Sequence, residues 1–145
     1  AITRLIDMGV KPFLVASSIQ AIMAQRLVRT LCENCKEPYE PTESEMRSVG
    51  LKPEDLVDRT VYKAVGCEQC KFTGYKGRKA VFELMEMSSV TRELAFRKAP
   101  LSKIREQAVL DGMVTLMQDG VRKILDGITT IEEVLAIAKR EDITY

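Results

Sequence analysis

At 145 residues the chain has the length of one small domain or two lobes, and its 46% apolar, 30% charged composition is that of an ordinary globular protein, which excludes collagen-like and disordered classes. Lys and Arg number 22 against 21 Asp and Glu, a net charge of +1, so no global field draws the chain toward nucleic acid or membrane. Histidine is absent, which removes Ser-His-Asp and Cys-His catalysis, HExxH zinc hydrolysis and imidazole proton shuttling.

The first residues, AITRLIDMGV, carry Asp7 and no signal-peptide core, and no apolar run reaches the roughly 18 residues that span a bilayer. Opening on Ala1 with a helical face of Ile2, Leu5 and Ile6 and a stop at Gly9 is expected of a cut through a larger protein, with a processed N-terminus as the alternative. Pro12 suits the first turn of a helix that Phe13, Leu14, Ile19, Ile22 and Met23 supply with apolar surface. In QRLVRTL, Leu27, Val28 and Leu31 fit either a short buried strand or a continuation of that helix.

Past Cys32 the composition changes: residues 36 to 66 hold seven acids against five bases, in a Pro-punctuated polar insert. Thr42 with Glu45 forms a capping box and Pro53 starts a second short helix. Val61, Lys63 and Val65 predict a strand, as does KAVFELMEM, with the turn-rich basic loop FTGYKGRK between them. The last third reads as helical. Leu101, Ile104 and Ala108 repeat at helical spacing, as do Met113, Leu116, Met117, Val121 and Ile124, with Gly127 as a stop. A final helix opens on a second capping box, Thr130 with Glu133, and buries Ile131, Val134, Leu135 and Ala138.

The four cysteines form two CxxC pairs, Cys32 with Cys35 and Cys67 with Cys70, 31 residues apart. Two such turns aim four sulfurs at one centre, a donor set suited to zinc. Iron takes the same ligands. Two disulfides would suit an exported chain, and a thioredoxin-type role needs a single pair at a helix start. A closed four-thiolate site leaves no open position for water or substrate, so the metal is expected to be structural.

No GxxxxGK[ST], GxGxxG or acidic Walker B strand occurs, so the chain holds no nucleotide cradle of its own. Around Gly74 and Gly77 lie Lys71, Lys76, Arg78 and Lys79. They read either as solvated bases beside a zinc knuckle or as a contact for phosphate, an acidic partner or a membrane face. Phe72 and Tyr75 pack the knuckle in the first reading and stack on bases in the second. A nucleic-acid module is usually basic over a whole face; the acidic insert argues against one, and no direct nucleic-acid partner is expected. A purely structural adaptor, docking through the helical third, is the other rival.

The stretches AITRLIDMGVKPFLVASSIQAIMAQRLVRTLC, CEQCKFTGYKGRKAVFELMEM and DGMVTLMQDGVRKILDGITTIEEVL closely resemble the GspE/PilB-like secretion ATPases of type II secretion and type IV pilus assembly. The resemblance implies a fold class of α+β, mostly helical, in three parts. Residues 1–31 would close a RecA-like ATPase core, 32–80 would form a tetracysteine metal-binding subdomain with a helical insert, and 81–145 a C-terminal helical lobe. It implies Cys32, Cys35, Cys67 and Cys70 as ligands of a structural zinc. The family's QRL motif stands as Gln25-Arg26-Leu27, which makes Arg26 a candidate for a nucleotide or subunit interface, unless it counters a helix dipole. ATP and magnesium would be bound by the parent protein, in an upstream RecA-like core, and not by this piece alone. The implied partners are that core, neighbouring subunits of a hexameric ring in the cytoplasm, and an inner-membrane platform protein, for which the Lys71–Lys79 loop is the candidate contact.

Overall fold

The computed structural model describes residues 1–144, with side chains described through Ala138. Helix α1 spans Ile2–Asp7 and α2 spans Pro12–Ser18, with Pro12 in its first turn as the sequence requires. The second helix is shorter than its apolar content suggests. Ile22 and Met23 belong to the eleven-residue strand β1, Ala21–Leu31. QRLVRTL is therefore strand, not helix. Exposure alternates along most of β1, but its apolar residues fall on both faces, so their spacing carries neither the two-residue nor the 3.6-residue period.

Short elements follow: β2 at Glu37–Tyr39, α3 at Glu43–Val49, a 3₁₀ turn at Pro53–Leu56 and β3 at Val61–Lys63. Strand β4 runs over Tyr75–Glu86 and is the hydrogen-bonded neighbour of β1. It takes in Lys76, Arg78 and Lys79, so most of the expected basic loop is strand. Helices α4 (Ser89–Phe96), α5 (Leu101–Leu110), α6 (Leu116–Leu125) and α7 (Ile131–Thr144) complete the chain. Met113 lies in the connection before α6 and not in its stripe. No helix among the described residues is long and apolar enough to cross a membrane.

The chain divides into two compact units, Ala1–Ala24 with Glu83–Thr115, and Gln25–Phe82 with the chain from Leu116 onward. In the first, Ile2, Val15, Ala16, Met87, Ala95 and Ile104 make a buried core among α1, α2, α4 and α5. Ser88 caps α4 by accepting the Thr91 amide at 3.2 Å. Arg92 donates to the Ala16 carbonyl at 2.7 Å and to Gln20 Oε1 at 3.1 Å, tying α4 to the end of α2. Arg105 grips the buried Glu83 carboxylate with two bonds of 3.0 and 2.9 Å.

In the second unit β2 and β3 pair antiparallel, Glu37 opposite Lys63 and Tyr39 opposite Val61. The predicted capping box is present at α3: the Glu45 amide donates to Thr42 Oγ1 at 3.1 Å and the Thr42 amide to Glu45 Oε1 at 3.3 Å. Tyr39 adds its hydroxyl to Glu45 Oε2 at 2.8 Å. That bond holds the Glu45 carboxyl below the usual carboxylate range, while burial, and then the same bond, raise the Tyr39 phenol. Val49, Leu51, Val61, Ile124, Ile131 and Val134 form the core that α3, β3, α6 and α7 share. At Gly120 of α6 an added Cβ would meet Val134 Cγ1 at 2.7 Å, so only glycine lets these two helices approach this closely.

Candidate metal centre

Strand β1 ends by delivering Cys32, whose amide donates to the Gly74 carbonyl at 3.0 Å. The chain then turns at once: the Cys35 and Lys36 amides both donate back to the Cys32 carbonyl, at 3.3 and 3.0 Å. The second turn repeats the pattern. The Cys70 and Phe72 amides donate to the Cys67 carbonyl at 3.2 and 2.8 Å across a 3₁₀ turn at Glu68–Cys70. Gly74 closes it at φ +83°, with Ala64 so near that an added Cβ would sit 2.6 Å from the alanine methyl. Both the left-handed backbone and the space demand glycine there.

These turns bring the four sulfurs together. All lie within 4.8 Å of one another, with Cys32 to Cys67 and Cys35 to Cys70 at 3.8 Å and Cys67 to Cys70 at 3.7 Å. A tetrahedron with zinc–sulfur bonds of about 2.3 Å has edges of about 3.8 Å, so the donor set fits that ion. All four are free thiols, Cys32 and Cys70 buried and Cys35 and Cys67 partly so, in contrast to the two-disulfide alternative.

N–H groups already point at the sulfurs. The Cys67 and Gly74 amides each donate to Cys70 Sγ at 3.2 Å, the Gly66 amide to Cys35 Sγ at 3.3 Å, and the Asn34 side-chain amide to Cys67 Sγ at 3.3 Å. Burial works against the Cys70 thiolate, yet its two amide donors bring it down to about 6. Asn34 is the main influence that lowers Cys67, and burial pushes Cys35 up to about 11. Four sulfurs at tetrahedral spacing, three of them already accepting N–H groups, are organised for a soft cation.

Two polar anchors tie these turns to the C-terminal helices. Lys36 donates to Glu33 at 3.1 Å and to the Gly127 carbonyl at 3.0 Å, with its ammonium 4.5 Å from the Tyr62 ring centre. Gly127, at φ +74°, ends α6 as predicted. The other anchor corrects the second capping box. Thr130 does accept the Glu133 amide at 3.2 Å, but the Glu133 carboxylate turns to Arg29, taking its backbone amide at 2.8 Å and its Nε at 2.9 Å. Arg29 lies over the Tyr75 ring at 4.1 Å, and the Tyr75 hydroxyl bonds Thr130 Oγ1 at 2.9 Å. The Glu133 bond raises Arg29 above its ordinary value.

Of the other expected site residues, Arg26 sits within β1 and not at the end of a helix, its Nη1 donating to the Gln25 carbonyl at 2.9 Å. Lys71 stands in the turn after Cys70, whereas Lys76, Arg78 and Lys79 lie along β4. All four are exposed, and among the described residues none is ion-paired. Tyr75 packs at the knuckle, but Phe72 does not: it is 72% exposed, at φ +61°. Asn34, Lys36 and Arg29 went unnoticed in the sequence. Only Asn34 carried a signal, its place between two cysteines.

A family model described as type II/IV secretion system protein matches residues 1–136. The type IV pilus assembly ATPase PilB of Thermus thermophilus is 43% identical over 136 residues, 94% of this chain and 15% of that protein. The type II secretion system protein E of Aeromonas hydrophila is 44% identical over 142 residues, 98% of this chain and 28% of that protein. The type II secretion system ATPase E of Vibrio cholerae is 40% identical over 141 residues, covering 96% and 27%. The chain therefore spans less than a third of the length of these curated relatives. With the match running from Ala1 past α6 and through both cysteine turns, the chain belongs to the type II/IV secretion system protein family.

Proposed function

We propose that this chain is the C-terminal part of a hexameric cytoplasmic ATPase that powers type II secretion or type IV pilus assembly, and that Cys32, Cys35, Cys67 and Cys70 hold a structural zinc in it. The observation that carries this reading is the coincidence of two independent ones. Named secretion and pilus ATPases align across nearly all of the chain, and the sulfurs that chain brings together match a tetrahedral edge. Zinc bound there supplies no reaction; its binding free energy becomes folding free energy for the turns that carry it.

In this reading residues 1–31 close the RecA-like core, 32–80 form the metal subdomain and 81–145 the C-terminal lobe that helps draw subunits into the ring. ATP and magnesium belong to the upstream core. Arg26 faces a nucleotide or a neighbouring subunit, and Lys71, Lys76, Arg78 and Lys79 meet the inner-membrane platform protein. The test is to join the chain to its nucleotide-binding core and measure ring assembly and ATP turnover, with and without Cys67→Ser. The reading expects no turnover from the chain alone, a hydrolysing ring from the joined protein, and loss of both ring and zinc on substitution. A metal-free ring that assembles and hydrolyses normally would contradict it. Reversal of Arg78 and Lys79 to Glu should weaken platform binding, and unchanged binding and secretion or pilus output would remove that contact.

A further inference from the structure

We infer that Asn34 is a positioning residue of the metal centre, its side-chain amide holding the Cys67 sulfur in place across the two cysteine turns; this rests on the zinc reading above. Four thiolates around one zinc carry a formal charge of about −2, and N–H donors to the sulfurs spread that charge and fix the lone-pair directions. Main-chain amides perform this task where the turns put one within reach: the Cys67 and Gly74 amides at Cys70, and the Gly66 amide at Cys35. Cys67 has no such main-chain donor among the described residues. Its N–H comes from the side chain of Asn34, at 3.3 Å.

The arrangement is reciprocal. Asn34 lies between Cys32 and Cys35 and donates to the second turn, while Gly66, next to Cys67, donates to the first at the same 3.3 Å. Each turn therefore orients one ligand of the other, which the CxxC spacing by itself does not do. Asn34 is exposed, so its packing stabilises little, and the bond to sulfur is its one side-chain hydrogen bond among the described residues. An aspartate would keep the shape but replace the donor with a carboxylate facing a thiolate.

Asn34→Ala and Asn34→Asp test this against the unaltered chain, by zinc competition with a chelator and by the visible and near-ultraviolet spectrum of the cobalt-loaded protein. Outer-shell partners of metal ligands typically govern about 10–100-fold in affinity. At this exposed site Asn34→Ala should weaken zinc by about tenfold, and Asn34→Asp by more. With the N–H gone the Cys67 sulfur becomes a stronger electron donor, so the sulfur-to-cobalt charge-transfer band moves to lower energy in both variants. A residue that merely shaped the turn would leave that band in place at full cobalt loading. Variants that match the parent in zinc competition and in band position would overturn the proposal while leaving the metal site standing. A parent chain that takes up neither zinc nor cobalt would overturn the zinc reading and this one with it. Far-ultraviolet circular dichroism of the loaded proteins verifies the fold of each variant.

Discussion

The two units are held together by different physics. The first relies on helices packed over an aliphatic core, with Ile2, Val15, Ala95 and Ile104 almost wholly buried, and its polar ties serve that packing. Much large apolar surface stays uncovered on it, at Met8, Phe13, Leu14, Phe96 and Leu110 among others. The second also buries an aliphatic core, under α3, α6 and α7, but its shortest elements, β2 and β3 of three residues each, and the irregular turns beside them are joined by point cross-links: four sulfurs, the Lys36 ammonium on the Gly127 carbonyl, and Arg29 on Glu133. Continuous burial tolerates small losses at many places. A scaffold of cross-links fails at one.

That contrast sets an order of effects. Removing the metal ligation, by Cys70→Ser or by a strong zinc chelator, should have the largest, on the scale of the roughly 10 kcal/mol that a structural zinc contributes to a small metal domain. In hydrogen exchange the amides from Leu31 to Lys36 and from Val61 to Tyr75 should lose protection, while α1, α2, α4 and α5 keep theirs. Uniform loss across both units would break the comparison. Next, Ile104→Ala in the first unit opens a cavity in a side chain 1% exposed and should cost about 2–5 kcal/mol by chemical denaturation.

Arg29→Ala should cost about 1–2 kcal/mol, because the Glu133 carboxylate, 15% exposed, loses its guanidinium partner but keeps the Arg29 backbone amide at 2.8 Å. Glu133→Gln in the same background should add little, and a double-mutant cycle measures the coupling. The smallest effect is acid sensitivity at α3. Glu45 titrates lower when folded than when unfolded, so its contribution is complete above the ordinary carboxylate pKa and disappears as pH falls through the folded value. The loss should stay under about 1 kcal/mol, the scale of a helix cap. Thermal melts between pH 3 and 7 should show Glu45→Gln flattening that part of the profile.

Local chemistry was legible in the sequence and distant pairing was not. The CxxC spacing announced the cysteine cluster, and Thr42 with Glu45 announced α3, because each signal is complete within four residues. Strand β1 was obscured because Ile22, Met23, Leu27 and Val28 lie on both of its faces; the second half of β4 was legible in KAVFELMEM, but its first half was not, because Lys76 to Lys79 is basic and carries Gly77. The second capping box was half right: Thr130 caps α7, but a charged partner 104 residues away takes Glu133. An ion pair to Arg29 outcompetes a neutral backbone bond, and no local pattern reveals it.

Metal content per chain, by native mass spectrometry of protein purified without added zinc and again after denaturation, tests the cross-linked view of the second unit most directly. The expected result is one zinc per folded chain and, on denaturation, a mass corresponding to four intact thiols. A metal-free chain four hydrogens lighter would mean two disulfides, and would contradict both the zinc site and the cohesion assigned to it.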